Sequence, residues 1–246
     1  IESSHNNADP DRGEINNSGD ILETCLILGN AGYTECFDDA ERILRGHILP
    51  SQLRDISFIK QPSNPHGEDG LRDVANRLRG SFGFPAPYGH ESLDTSAIKF
   101  NLDVVGGAVG SLCEAICNIT TKDETGHHVN LLFDHNTPEI MVESPYTHSG
   151  LRIMIKQPAP LYIRIPKWVN RDKLTIDGIS SDGISSNICY SNGYVFIDNP
   201  PVNQWIRLSF PMTESESILY HRTREIRVRL RGDEVIALGN FGTDLN

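Results

Sequence analysis

NNSGDILETCLILG, residues 16–29, is the stretch that decides how the first half of the chain is interpreted. It begins with residues that favour turns and helix caps, and it continues with apolar residues at helical spacing on adjoining faces. A helix that is apolar on nearly every face is expected to lie buried between other elements. Glu23 stands inside this helix, and a buried carboxylate needs a partner, a metal ion or a catalytic role.

The same carboxylate also has a purely structural interpretation. Asp20 is a good N-cap residue, and Glu23 follows it by three positions. This spacing is that of a capping box, in which the two side chains bind backbone N–H groups of the first helical turn. From these residues alone, a helix cap and a functional carboxylate both remain open.

The bulk composition is typical of a globular protein, since 38% of the 246 residues are apolar and 22% are charged. The net charge is −11 and no basic stripe is present, which argues against nucleic acid or an anionic membrane as a partner. No apolar run approaches the roughly 18 residues of a membrane span.

The five cysteines are odd in number and scattered, which predicts reduced thiols rather than a disulfide framework. Cys113 and Cys117 lie four positions apart on a predicted helix. Without a second pair of metal ligands nearby, we expect them to be buried as small hydrophobic residues.

The ends of the chain suggest part of a longer protein. The first residue is Ile1, with no initiator methionine, and the pattern of strands continues almost to Asn246. Localisation and oligomeric state are therefore left open.

Two kinds of periodicity divide the chain. Up to residue 122, apolar residues recur at helical spacing: in the opening helix, in a second helix that ends before Pro50, at about 70–79, and from Asp103 to about Ile119. The last of these helices contains Gly106, Gly107 and Gly110. They lack the order of a dinucleotide-binding loop, so we expect them to let the helix approach another element closely.

From residue 123 onwards the period is two. Runs such as 151–155 and 161–165 alternate apolar and polar residues, and turn residues separate them. This pattern predicts an antiparallel β-sandwich. The predicted fold class is multidomain α and β, with a helical domain over 1–122 and a β-sandwich domain over 123–246.

Several motifs resemble the β-L-arabinofuranosidase-like glycosidases, glycoside hydrolase family 127. They are ETC at 23–25, HVNLLF at 128–133, and LYIRIPKWV at 161–169 with a following strand that ends in Asp177-Gly178. The resemblance covers most of the chain. It implies the C-terminal part of an (α/α) helical toroid that carries the active site, followed by an antiparallel β-sandwich that is truncated at its C-terminus.

In that family, the Glu and Cys of the first motif hold a zinc ion together with two adjacent cysteines of the later helix, one of which is the nucleophile. The corresponding segment here, DVVGG at 103–107, contains no cysteine. Glu23 and Cys25 therefore carry over, whereas the zinc ion and the thiolate nucleophile do not, because two ligands are too few for a closed zinc site. We expect a divergent member of the family with no cofactor, and zinc is disfavoured.

Metal-free glycoside hydrolysis needs two carboxyl groups across the scissile bond, one of them kept protonated by burial. Glu23 is the best candidate for the protonated group, because its helix is predicted to be apolar on all sides. Its partner is Asp103, or an acid of the preceding loop, Glu14 or Asp11, where the family has its general acid. The residues predicted to bind substrate are Asp20, Cys25, Phe84, Tyr88 and His90.

The predicted function is that of a glycoside hydrolase-like protein that acts on glycan-derived sugars, with a carbohydrate as its partner. A non-catalytic carbohydrate-binding protein is one alternative. It would need the aromatic rings of the loop at 81–90 but not Glu23 or Asp103. A sugar isomerase or lyase is another, with His90 as the base, because a helical toroid does not determine the reaction.

Overall fold

The computed structural model describes residues 15–57, 59–82, 102–179, 188–221 and 224–239; for 102–105, 221, 224 and 238 only the backbone is described. The α-helices in these ranges are α1 (Ile15–Asn30), α2 (Cys36–Ile43), α3 (Val74–Leu78) and α4 (Leu102–Ile119). Helix α2 continues into a π-helical turn, Leu44–Ile48. Short 3-10 turns are formed by Asp69–Leu71 and Arg171–Lys173.

The β-strands follow the helices along the chain. They are β1 (Thr120–Lys122), β2 (His127–Val129), β3 (His135–Asn136), β4 (Ile140–Glu143), β5 (Leu151–Ile155), β6 (Leu161–Arg164), β7 (Thr175–Asp177), β8 (Ile188–Ser191), β9 (Tyr194–Ile197), β10 (Ile206–Ser209), β11 (Glu214–His221), β12 (Arg224–Arg231) and β13 (Glu234–Leu238).

Helix α1 is buried on one face rather than on all sides. Its buried positions are Ile15, Gly19, Leu22, Leu26 and Gly29, which recur at helical spacing and face α2 and α4. Ile27 and Leu28 are exposed. The prediction of a fully buried helix was therefore wrong, because an apolar sequence does not show how many neighbouring elements are present to cover it.

The predicted capping box of Asp20 and Glu23 is not formed. Residue 15 is already helical, so Asp20 and Glu23 lie inside α1, where the backbone N–H groups bind carbonyl oxygens of the helix itself. The structural interpretation of this pair as a cap is wrong.

Helices α1, α2 and α4 share one hydrophobic core. Large side chains of this core include Leu22 and Leu26 of α1, Phe37 of α2 and Phe82, and α4 contributes the small Ala108 and Ala115. The first two predicted helices and the helix that ends at Ile119 are confirmed. The helix predicted at 70–79 is shorter than expected, since only Val74–Leu78 is α-helical.

The strands form three sheets, with the orders β1-β2-β6-β9-β8, β3-β4-β5-β10-β7 and β11-β12-β13. Among the described residues, the neighbouring strands of these sheets pair antiparallel except for β2 with β6, which are parallel. The alternation predicted from the sequence is confirmed in β5, where Leu151, Ile153 and Ile155 are buried. Side chains of the first two sheets together form a second hydrophobic core.

Buried charges connect helix α2 to the first sheet. Arg164 of β6 donates hydrogen bonds to Asp38 and Glu41 of α2 and to the Asn130 carbonyl. Arg45 donates to the Glu41 carboxylate at 2.9 Å. Helices and sheets therefore meet through a compensated ionic contact as well as through apolar cores. In the ranges that the structure describes, no helix is long and apolar enough to cross a bilayer.

Candidate functional site

Glu23 projects from α1 towards α4, where a hydroxyl group meets it. Ser111 Oγ donates a hydrogen bond to Glu23 Oε1 at 2.9 Å and is also 3.1 Å from the Gly107 carbonyl oxygen. Ser111 is buried, whereas Glu23 is only partly exposed. A carboxylate held by a buried donor on a second helix has a restricted set of rotamers, as a group that acts on a bound substrate requires.

Two glycines allow α1 and α4 to come this close. A Cβ atom on Gly19 would overlap the Ser111 hydroxyl, and one on Gly107 would overlap the Asn16 amide oxygen. Gly106 and Gly110 face open space instead. Of the three glycines predicted to let α4 approach another element, Gly107 alone does so.

Cys25 lies on another side of α1 from Glu23. It packs against the core of the helical part, next to Cys36 and Asp39 of α2. Burial raises the pKa of the Cys25 thiol, and the charge of Asp39 raises it further. Residues two apart on a helix point about 200° apart, so Glu23 and Cys25 diverge.

This divergence bears on the zinc site of the family that the motifs resemble. Metal ligands must converge on one point at about 2 Å. Glu23 and Cys25 point to different sides of α1, so their side chains as placed do not converge on a shared zinc ion. No group of three or more His, Cys, Asp or Glu side chains within the described part of the chain is arranged to hold a metal ion.

The other predicted site residues are only partly placed. Asp20 is exposed on α1, and its backbone carbonyl accepts a hydrogen bond from Thr24 Oγ1 at 2.8 Å. The backbone of Asp103 lies in the first turn of α4. The remaining predicted residues, Asp11, Glu14, Phe84, Tyr88 and His90, lie outside the described residues.

The cysteines of α4 differ from the prediction. Cys113 and Cys117 are exposed, because they lie on the face of α4 opposite to Ala108, Ser111 and Ala115. The expectation that they serve as buried small hydrophobic residues is wrong. All five cysteines are free thiols, as the sequence predicts.

The structure adds two polar residues that the sequence did not single out. Ser111 could have been recognised as the one polar residue in the buried stripe Ala108–Ser111–Ala115. His47 lies in the π-helical turn, with Nδ1 2.7 Å from Ser18 Oγ. Burial lowers the pKa of His47 to about 4, so its ring is neutral at neutral pH.

No protein-family model and no curated protein matches the chain. Among solved structures, a GH127 β-L-arabinofuranosidase from Geobacillus stearothermophilus T6 is 19% identical, with a TM-score of 0.48; the match covers 82% of this chain and 32% of that chain. A glycoside hydrolase is 17% identical with a TM-score of 0.46, covering 82% and 34%. A GH127 β-arabinofuranosidase is 17% identical with a TM-score of 0.46, covering 82% and 33%. The chain spans about a third of the length of these proteins.

Proposed function

We propose that the chain is the C-terminal part of the helical toroid, followed by the β-sandwich, of a glycoside hydrolase-like protein that acts on glycan-derived sugars. The single observation that carries this proposal is the hydrogen bond from Ser111 to Glu23, which holds a partly buried carboxylate between two helices. The motifs at 23–25 and 161–169 supply the class of reaction through their resemblance to family 127.

The chemistry requires a second carboxyl group across the scissile bond. Asp103 is the first candidate, because its backbone lies on the helix that carries Ser111, about 12 Å before it along the axis. Glu14, next to the first described residue of α1, is the second. Glu23 and one of these two act as the acid and base pair, and the proposal includes no metal cofactor.

Turnover of a panel of 4-nitrophenyl glycosides, β-L-arabinofuranoside among them, tests the proposal. Glu23→Gln is expected to lower kcat by about 10²-fold or more, the usual contribution of a general acid or base. Whichever of Asp103→Asn and Glu14→Gln lowers kcat to a similar extent identifies the partner. Glu35→Gln, at an exposed position, is the matched control.

Two results would contradict this function. Unchanged turnover in Glu23→Gln would remove Glu23 from the chemistry. Absence of turnover with every glycoside, together with sugar binding, would favour the alternative of a non-catalytic carbohydrate-binding protein. The absence of cysteine from DVVGG at 103–107 favours that alternative, because the family's nucleophile is one of the adjacent cysteines expected there.

A further inference from the structure

A groove lies between the C-terminal end of α4 and the edges of the first two sheets. Its volume is about 340 Å³, at the lower end of the range for small-molecule sites. Cys117, which lines it, is about 21 Å along α4 from Asp103. Cys117 is only about 9 Å along α4 from Ser111, the donor to Glu23, but Glu23 itself does not line the groove.

The charges in the groove cancel. Lys122 Nζ lies 3.2 Å from Glu139 Oε1, so the one lysine that lines the groove is paired with the one carboxylate that does so. Burial lowers the pKa of His135, so its ring is neutral at neutral pH. A site without net charge has little preference for an anion or a cation.

Several hydrogen-bonding groups nevertheless line the groove. Within the described ranges, no residue donates to or accepts from the Thr120 hydroxyl or the His135 ring. Thr121 Oγ1 accepts a hydrogen bond from Asn130 at 3.1 Å, which leaves its own O–H free to donate. These groups would provide both donors and acceptors to a ligand.

His127 also lines the groove. The residue is only 1% exposed, and its Nε2 lies 3.2 Å from the Gln157 carbonyl oxygen. A carbonyl oxygen can only accept, so Nε2 is the donor in this contact. Ile116 and Ile140 complete the lining with apolar surface.

We propose that this groove binds a neutral polyhydroxylated ligand of the size of one or two sugar rings. Hydroxyl groups both donate and accept, which matches the mixed threonine and histidine lining. The C–H face of a sugar ring can contact Ile116 and Ile140. The proposal stands on the groove residues and does not depend on the carboxylate chemistry proposed for α1.

Binding to the full chain, measured by calorimetry or ligand-observed NMR, tests the proposal without any need for turnover. The ligands are D-glucose, D-galactose and L-arabinose, with inorganic phosphate as the charged comparison. At least one sugar is expected to bind saturably. His135→Ala and Thr120→Val are each expected to weaken that binding by about fivefold, the loss of one hydrogen bond. His66→Ala, at an exposed position outside the groove, is expected to bind like the unaltered chain.

Three outcomes would overturn the groove as a sugar site. One is the absence of any sugar that binds more tightly than about 10 mM. Another is phosphate that competes with the sugar. The third is sugar binding that neither His135→Ala nor Thr120→Val weakens. If Glu23→Gln abolished the binding in that third case, the ligand would lie on α1.

Discussion

The guanidinium group of Arg164 forms a salt bridge with Glu41, and both side chains are buried. Arg164 stands on β6 and Glu41 on α2, so the pair joins the first sheet to the helices. The same guanidinium group binds Asp38. Arg164 belongs to the LYIRIPKWV motif at 161–169, and its contacts give the charged position of that motif a structural role.

Removal of this guanidinium group is expected to be strongly destabilising. Arg164→Met removes the guanidinium group that binds the buried Asp38 carboxylate and weakens the compensation of Glu41. An uncompensated buried charge costs about 3–5 kcal/mol of unfolding free energy, which denaturant unfolding measures. Arg207→Met, on the exposed side of β10, is the control and is expected to change stability by less than about 0.5 kcal/mol. Equal losses in both variants would contradict the assigned role of Arg164.

Two glycine substitutions separate helix propensity from close helix contact. Gly110 of α4 faces open space, so Gly110→Ala is expected to stabilise the protein by about 0.5–1 kcal/mol. Gly19→Ala would place a methyl group on the Ser111 hydroxyl and turn it away from Glu23. We expect Gly19→Ala to lie at least about 1 kcal/mol below Gly110→Ala in unfolding free energy. Equal stabilisation by both substitutions would contradict the close contact between Gly19 of α1 and Ser111 of α4.

His47 makes stability depend on pH. Its pKa falls from about 6.5 in the unfolded chain to about 4, chiefly through burial. Above pH 6.5 the ring is neutral in both states and the protein keeps its full unfolding free energy. As the pH falls from about 6.5 to 4, the unfolded chain binds the proton more tightly, so the unfolding free energy falls by up to about 3 kcal/mol. The difference in unfolding free energy between the unaltered chain and His47→Asn, measured in urea from pH 4 to 8, is expected to show this loss. The same difference for exposed His66→Asn should stay flat; a flat curve for both would contradict the burial of His47.

Asp233 acts in the opposite direction. Burial, followed by the charge of Glu41, raises its pKa to about 6 from 3.8. The folded state then binds the proton more tightly than the unfolded chain, so this group adds stability as the pH falls from about 6 to 4, by up to about 3 kcal/mol. Asp233→Asn keeps an acceptor for Trp168 Nε1, which lies 2.8 Å away, and is expected to lose this gain. Parallel pH profiles of the variant and the unaltered chain in the same urea titrations would contradict the prediction.

Cys25→Ala distinguishes carboxylate chemistry from thiolate chemistry. The thiol is half-buried in the helical core and its pKa is raised, so its removal is expected to cost about 1 kcal/mol of stability and to leave turnover within a few-fold. A loss of turnover as large as that of Glu23→Gln would assign Cys25 a role in the chemistry. Elemental analysis of the same preparation for zinc is the accompanying measurement, and stoichiometric zinc would contradict a metal-free site.

Much of the local structure could be predicted from the sequence, because periodicity is a local property. The helix that ends at Ile119 and the alternating strand β5 lie where the pattern predicts them. The start of α1 was placed too late, because Asp20 has the chemistry of a cap wherever it stands. Glu23 was recognised as a candidate, but its donor Ser111 was not, since 88 residues separate them along the chain.

The sequence by itself determined the order of helices and strands, the alternation within the sheets and the free state of the cysteines. Only the tertiary structure decided which apolar faces are covered, that Glu23 and Cys25 point apart, and that Arg164 compensates Asp38 and Glu41. The physical reason is that helical and strand periods depend on neighbouring residues. Burial and ion pairing instead depend on which segments, distant along the chain, come into contact, and a local sequence pattern does not show this.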